Sequence, residues 1–278
     1  MAPAARLAKL LSHIEGCHTA NLARDYLPVR ADDAVFGYLR PAFAARLVDI
    51  EPAITLADGQ VDLPARLLPE LNRIAIAAGC RVRRENFDVR AAPDGPVLGI
   101  LDRGALPDFG VVGVGAHLNG LVETPAGPHL WVARRAADKK LDPGKLDHLV
   151  AGGVPAGLTP FQTLLKEAEE EASLPADLTC HARPVARFAY NMERPEGLRR
   201  DIIHAYDLLL PASFTPQPAD GEVESFLLMS LPEILDILAT TDDFKFNVAL
   251  VVIDLLIRHG LITGSDATTL RQALDRQP

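Results

Sequence analysis

The stretch from Leu149 to Pro175 constrains the fold of this 278-residue chain more than any other. Leu149-Val-Ala-Gly-Gly-Val154 reads as a short apolar strand, and Pro155-Ala-Gly157 as a turn. Thr159-Pro160-Phe161-Gln162 then carries three helix-start signals at once. Thr159 is an N-cap hydroxyl, Pro160 suits the first helical position, and Gln162 completes a capping box. The helix should run to about Ala172, because Pro175 forbids much continuation. Strand, glycine loop and helix thus follow one another within this stretch.

The helix carries a second pattern. At about 100° per residue, with Glu167 at zero, Glu170 falls near −60° and Glu171 near +40°. Phe161, Leu164, Leu165, Ala168 and Ala172 fall between about 60° and 160°, and Glu169 points away near 200°. An acidic stripe therefore lies beside the apolar one. Like charges at these spacings repel by a few tenths of a kcal/mol each, and a divalent cation would remove that cost. A run of Glu is ordinarily a solvated face. Gly152, Gly153 and Gly157 favour the cation, because glycine lets backbone approach a ligand and the helix N-terminus faces the same loop.

The rest of the chain supplies strands. Val111 to Val122 and His129 to Arg135 form a hairpin around Thr124-Pro-Ala-Gly127, and a polar loop spans Asp138 to Lys145. Further strands are expected at 184–191, 202–210 and 223–229, and one helical section from Pro232 to His259. Before about Pro107 the pattern is mixed. Helices are expected around Leu7–Ile14 and Leu63–Ala78, with strand-like pieces at 34–39, 81–90 and 97–101. The length suits about two domains, and we place them at 1–108, a small α+β unit, and 109–278.

Composition excludes some function classes. Lys and Arg total 28 against 37 Asp and Glu, a net charge of −9, which argues against a nucleic-acid protein. Cys17, Cys80 and Cys180 are far apart with no CxxC pair, so a cysteine zinc site is not expected. No uncharged apolar run approaches a bilayer span, and residues 1–6 carry no signal-peptide h-region. A soluble cytoplasmic protein with no membrane partner is the expectation.

The spacing from Gly152 to the carboxylates resembles the Nudix box. That signature is Gly, five residues, Glu, seven residues, then Arg-Glu-apolar-x-Glu-Glu-x-Gly-apolar. Gly152 starts it, Lys166 stands for the Arg, and Glu167, Ala168, Glu170, Glu171 and Leu174 match their positions. Leu158 replaces the first Glu, and Ser173 replaces the Gly that ends the helix with positive φ. The segments 115–120, 130–135, 139–144, 149–153, 220–226 and 244–247 look like one Nudix subfamily, with members in yeast and plants. Its members carry an added N-terminal domain (DUF4743) and are often labelled thiamin-pyrophosphokinase-related.

The resemblance implies a Nudix α/β/α sandwich with a mixed sheet, preceded by the small α+β domain. It implies metal-dependent hydrolysis of a diphosphate linkage, giving monophosphate and phosphate, with thiamine diphosphate analogues as the substrate class. Mg²⁺ or Mn²⁺ would be held by Glu167, Glu170, Glu171 and the Gly152 carbonyl. Glu222 or Glu224 would act as base or extra ligand, against the alternative of an ordinary acidic turn. Arg134, Arg135, Lys139 and Lys140 either contact the substrate's phosphates or belong in part to a solvated basic loop, and Gly153 would adjoin the substrate. His117 and Asn119 share one strand face and either meet the substrate or belong to the core; Trp131 is read as core first. The N-terminal domain either caps the pocket or makes a homodimer surface, and the preference of pockets for domain interfaces favours capping. Two other readings stay open: a diphosphate-binding regulatory protein without catalysis, and an isomerase of the isopentenyl-diphosphate type, which would need a Cys/Glu pair that the strands before the box do not offer.

Overall fold

The computed structural model describes residues 2–219 and 221–277; Asp220, within one of the family-like segments, lies outside the described residues. The centre of the fold is a seven-stranded mixed sheet. The strand Val112–Thr124 lies in its middle, antiparallel to Gly127–Arg135 and parallel to Gly197–Leu209. Arg183–Arg194 and Val223–Ser230 close the two edges, while Leu146–His148 and Val150–Gly153 pair with the two central strands.

Side chains on these strands alternate between two cores, as period-2 geometry requires. Leu130 and Val132 face one way with Leu121, Phe188, Tyr190 and Ile203. Trp131 faces the other way, partly buried against a cluster of Leu118, Val150, Tyr206, Leu208 and the box-helix residues Leu164, Ala168 and Ala172. Helices cover both faces, which makes the expected α/β/α sandwich.

An α+β segment precedes the sandwich. Residues 29–111 hold a hydrophobic cluster of their own, with a four-stranded sheet over Leu27–Ala31, Ala34–Leu39, Thr55–Ala57 and Gln60–Asp62. Asn86–Val89 and Gly99–Asp102 form a separate two-stranded ladder. The first helix, Pro3–Glu15, packs elsewhere. Leu10 and Ile14, with Cys17 just beyond, join the core of the C-terminal helices.

Five expected elements change in detail. The section from Pro232 to His259 is two helices, Leu231–Thr240 and Val248–Arg258, and a third, Gly264–Leu274, follows. The break between the first two falls where Phe244 bridges Leu146, so sheet contact interrupts the helical run. The helix expected over 63–78 starts as a 3-10 turn, Ala65–Glu70, because Pro69 has no N–H for an α-helical bond; regular helix spans Leu71–Ala77. Of 81–90, only Asn86–Val89 is strand, since Arg84 takes φ 61°. The strands expected at 184–191 and 202–210 extend into a longer hairpin that turns at Gly197, with φ 132°.

Candidate active site

The box helix spans Pro160–Ala172 and is held at both ends. Thr159 Oγ accepts from the Gln162 N–H at 3.2 Å, and Gln162 Oε1 accepts from the Thr159 N–H at 2.9 Å. At the other end Ser173 adopts φ 51°, the left-handed conformation that the family supplies with glycine. Its hydroxyl donates to the Gln217 carbonyl at 3.2 Å.

The acidic stripe is not a solvated face. Glu171 is buried and accepts from the Ala151 N–H at 3.0 Å. Glu167 is only 19% exposed and lies over Gly152, where an added Cβ would stand 2.5 Å from Glu167 Cγ and 2.7 Å from Cδ. Glycine is required at 152 for that reason: any side chain would displace the carboxylate. Glu170 is half exposed and receives Lys166 Nζ at 2.6 Å; the same ammonium stands 3.3 Å from Glu167. Thr163, on the acidic side of the helix, is also buried. The helix is therefore rolled so that two of its three box carboxylates face the glycine strand.

Charges follow from that burial. Desolvation raises the Glu167 carboxyl above the ordinary range; Lys166 opposes the shift, and Glu170 and Glu85 add to it. Among the described residues no three His, Cys, Asp or Glu converge as a preformed metal cluster. The donor chemistry nonetheless fits a hard divalent cation. All donors are oxygens, and the crowded carboxylates now lean on Lys166 as their counter-charge.

Beside Glu171 a narrow cleft is lined by Arg135, Asp147, His148, Ala151, Glu222 and Val223. Glu222 pairs with Lys139. Burial alone would raise the Glu222 carboxyl, but Lys139, Arg103 and Arg135 outweigh it and hold it below its ordinary value. Glu224 is exposed at a bulge, where Val223 pairs with Arg135 and Ser225 with Arg134.

Arg135 is bound within the protein. It donates to Asp147 at 2.7 Å and to the carbonyls of Leu141 and Asp142 at 2.9 and 3.1 Å, so it clamps the 139–145 loop. Arg134 donates to the Gly144 carbonyl at 2.9 Å, and Lys140 is exposed on that loop.

His117 and Asn119 are buried. His117 Nδ1 lies 3.0 Å from His148 Nδ1, and Asn119 donates to Asp207 at 2.8 Å. Gly153 faces the N-terminal segment: a Cβ there would lie 2.7 Å from Phe87 Cζ.

Sequence reasoning did not find three of the groups that shape this site. Asp147 is buried between Arg135 and Lys245, whose charges overcome desolvation and keep it well below the carboxylate range. Lys245 lies in the segment Phe244-Lys-Phe-Asn247, whose sequence resembles the subfamily but carries no local sign of a charge partner. His148 lines the cleft, and among the described residues its Nε2 has no hydrogen-bond partner. The signals for these groups lie in distant segments.

Residues 118–249 match the NUDIX domain family. The chain is 34% identical over 258 residues to Nudix hydrolase 20, chloroplastic, from Arabidopsis thaliana, covering 86% of this chain and 69% of that protein. It is 35% identical over 251 residues to Nudix hydrolase 24, chloroplastic, of the same plant, with the same two shares. A Saccharomyces cerevisiae protein is 35% identical over 194 residues, or 64% of this chain and 56% of its own length. With the sandwich, the glycine strand and the carboxylate helix in place, this identity over most of the chain makes the protein an enzyme of diphosphate hydrolysis, from a fold family whose mechanism is generally metal-dependent. The chain belongs to the Nudix hydrolase family.

Proposed function

We propose that this enzyme cleaves the diphosphate of a small organic molecule to monophosphate and phosphate, with thiamine diphosphate analogues as its substrate class. The observation that carries the site assignment is the fit of Glu167 onto Gly152, with Glu171 beside it on the Ala151 N–H. The substrate class rests on the sequence resemblance. Glu167, Glu170, Glu171 and the Gly152 carbonyl would hold Mg²⁺ or Mn²⁺, which when bound supplies charge neutralisation and an acidified water.

The protein's own groups do the rest. Glu222, kept ionised by Lys139 and its arginine neighbours, would accept the proton of the attacking water. Glu224, two residues on, is the second candidate for that role. Lys139, paired with the cleft residue Glu222, and Lys140 on the same loop would offer positive charge to an anionic substrate, and Arg135 holds the loop that carries them. Arg134 leaves the strand on the opposite face and ties down Gly144. His117 and Asn119, both buried and bonded within the protein, suit the core role better than substrate contact. We assign residues 1–108 to an added domain, though its first helix packs on the C-terminal helices, 109–278 to the catalytic one, and the protein to the cytoplasm.

The test is release of phosphate from a panel of thiamine-type diphosphates, nucleoside diphosphate sugars and dinucleotides, with Mg²⁺ and Mn²⁺. Glu171→Gln should lose roughly 10²-fold or more in kcat, the scale for removing one electrostatic stabiliser. Turnover of no substrate, or a variant as active as wild type, would remove the catalytic reading. An isomerase would need a cysteine at the cleft. Cys17 is instead buried in the helical core, its thiol pushed up to about 12 by burial, and Cys180 is exposed and donates to the Asp177 carbonyl.

A further inference from the structure

The N-terminal segment reaches the glycine strand of the box. The Ala156 N–H donates to the Asn86 carbonyl at 2.7 Å, which ties Asn86–Val89 to the loop before the box helix. One residue on, Phe87 covers Gly153. Arg103 follows the partner strand Gly99–Asp102, and its guanidinium carbon stands 5.8 Å from the Phe87 ring centroid. The same carbon is 3.7 Å from where a Cβ on Gly153 would lie. Arg103 Nη1 donates to Glu85 at 2.8 Å, and the side chain is 47% exposed. A guanidinium stacked on a ring is thus held beside Gly153, at the end of the strand whose Gly152 lies under Glu167.

Three basic groups near the cleft are already engaged within the protein. Arg135 is engaged by Asp147 and two carbonyls, Arg134 donates to a carbonyl, and Lys139 pairs with Glu222. A diphosphate carries more negative charge than the carboxylate site can accept without a cation on its open side. We propose that Arg103, brought in by the N-terminal segment, is a substrate-binding residue that donates to the phosphate oxygens of the diphosphate, and that Glu85 holds it ready for that exchange. This rests on the hydrolase reading above. Glu85 competes with the substrate for the same guanidinium, since carboxylate and phosphate accept from it alike.

The competition separates this role from a structural ion pair. The full chain is titrated calorimetrically, in Mg²⁺, with methylenediphosphonate, a diphosphate that cannot be hydrolysed. Arg103→Ala should weaken binding about 10-fold and raise KM by a similar factor, with kcat within roughly 3-fold. Arg103→Lys should recover part of the loss. Glu85→Gln breaks the same ion pair but leaves the guanidinium, and should bind no more weakly than wild type. Equal weakening by Arg103→Ala and Glu85→Gln would overturn the proposal, as would unchanged binding in Arg103→Ala. If wild type binds the diphosphonate but turns over no organic diphosphate, the hydrolase reading fails while the binding series still decides Arg103. If wild type binds no diphosphonate, both fail.

Discussion

At Glu167 the metal-binding role proposed above and a stable fold conflict in one residue. Its carboxyl is raised by burial, so the folded chain binds that proton more tightly than the unfolded chain does. Stability from this group therefore falls as pH rises through the raised value, and at neutral pH the charged form is a cost. Glu167→Gln should raise Tm at pH 7.5 in a chelating buffer, while Mg²⁺ stabilises wild type but not the variant. Turnover should drop by roughly 10²-fold in the same variant. A lower Tm for Glu167→Gln would show that the Lys166 pairing outweighs desolvation.

The histidine pair has the opposite sign. Burial pushes His117 well below the ordinary value and His148 down to about 4. Both are neutral in the folded chain and take up protons more readily when unfolded. Their contribution is full above pH 6.5 and is lost as pH falls from there toward 4. Urea unfolding at pH 7 and pH 5 should show the decline, and His148→Gln should flatten it. Sequence placed His117 on the right strand, but the partner that decides its state, His148, sits 31 positions away.

Among the elements, the box helix was the most legible and is also the most instructive. Its cap, its proline start and its end at Ala172 are all local features, and all stand as read. Thr159→Ala should cost about 1 kcal/mol, as lost N-caps do. Ser173 is the departure from the family pattern that has a measurable consequence. It holds φ 51° without being glycine, which costs about 1 kcal/mol, offset in part by its bond to Gln217. Ser173→Gly should therefore gain about 0.5–1 kcal/mol in urea unfolding with activity unchanged, and Ser173→Val should lose stability. The roll of the helix was less legible. Its apolar stripe predicts a contact face, yet the face observed is wider and takes in Thr163 and Glu171. A hydrogen bond from Ala151 on another element makes that burial tolerable.

For the whole molecule, the first helix is the chief surprise. It begins the chain, but it packs against helices that end it. Leu10 and Ile14 lie among Leu235, Leu238, Val252 and Leu270, and Lys9 reaches Asp242 at 2.6 Å. Leu10→Ala should cost about 3 kcal/mol in global unfolding, the range for emptying a buried leucine site. It should leave KM unchanged, because the site lies across the sheet. A variant that unfolds only residues 29–111, with the sandwich intact, would contradict this packing.

What the chain determined by itself is everything set by neighbours within a few residues. The helix stops, the glycine loop, the hairpin turn at Gly127 and the common side of three carboxylates follow from hydrogen bonds and angular periods that span at most two turns. Tertiary structure alone decided which charges meet. Lys245 is 98 positions from Asp147, Arg258 is 51 from Asp207, and Arg103 arrives from a different sheet. No local period encodes those distances. Burial fixes them, because a charge taken out of water stays where an opposite charge or a hydrogen-bond donor has been brought to it.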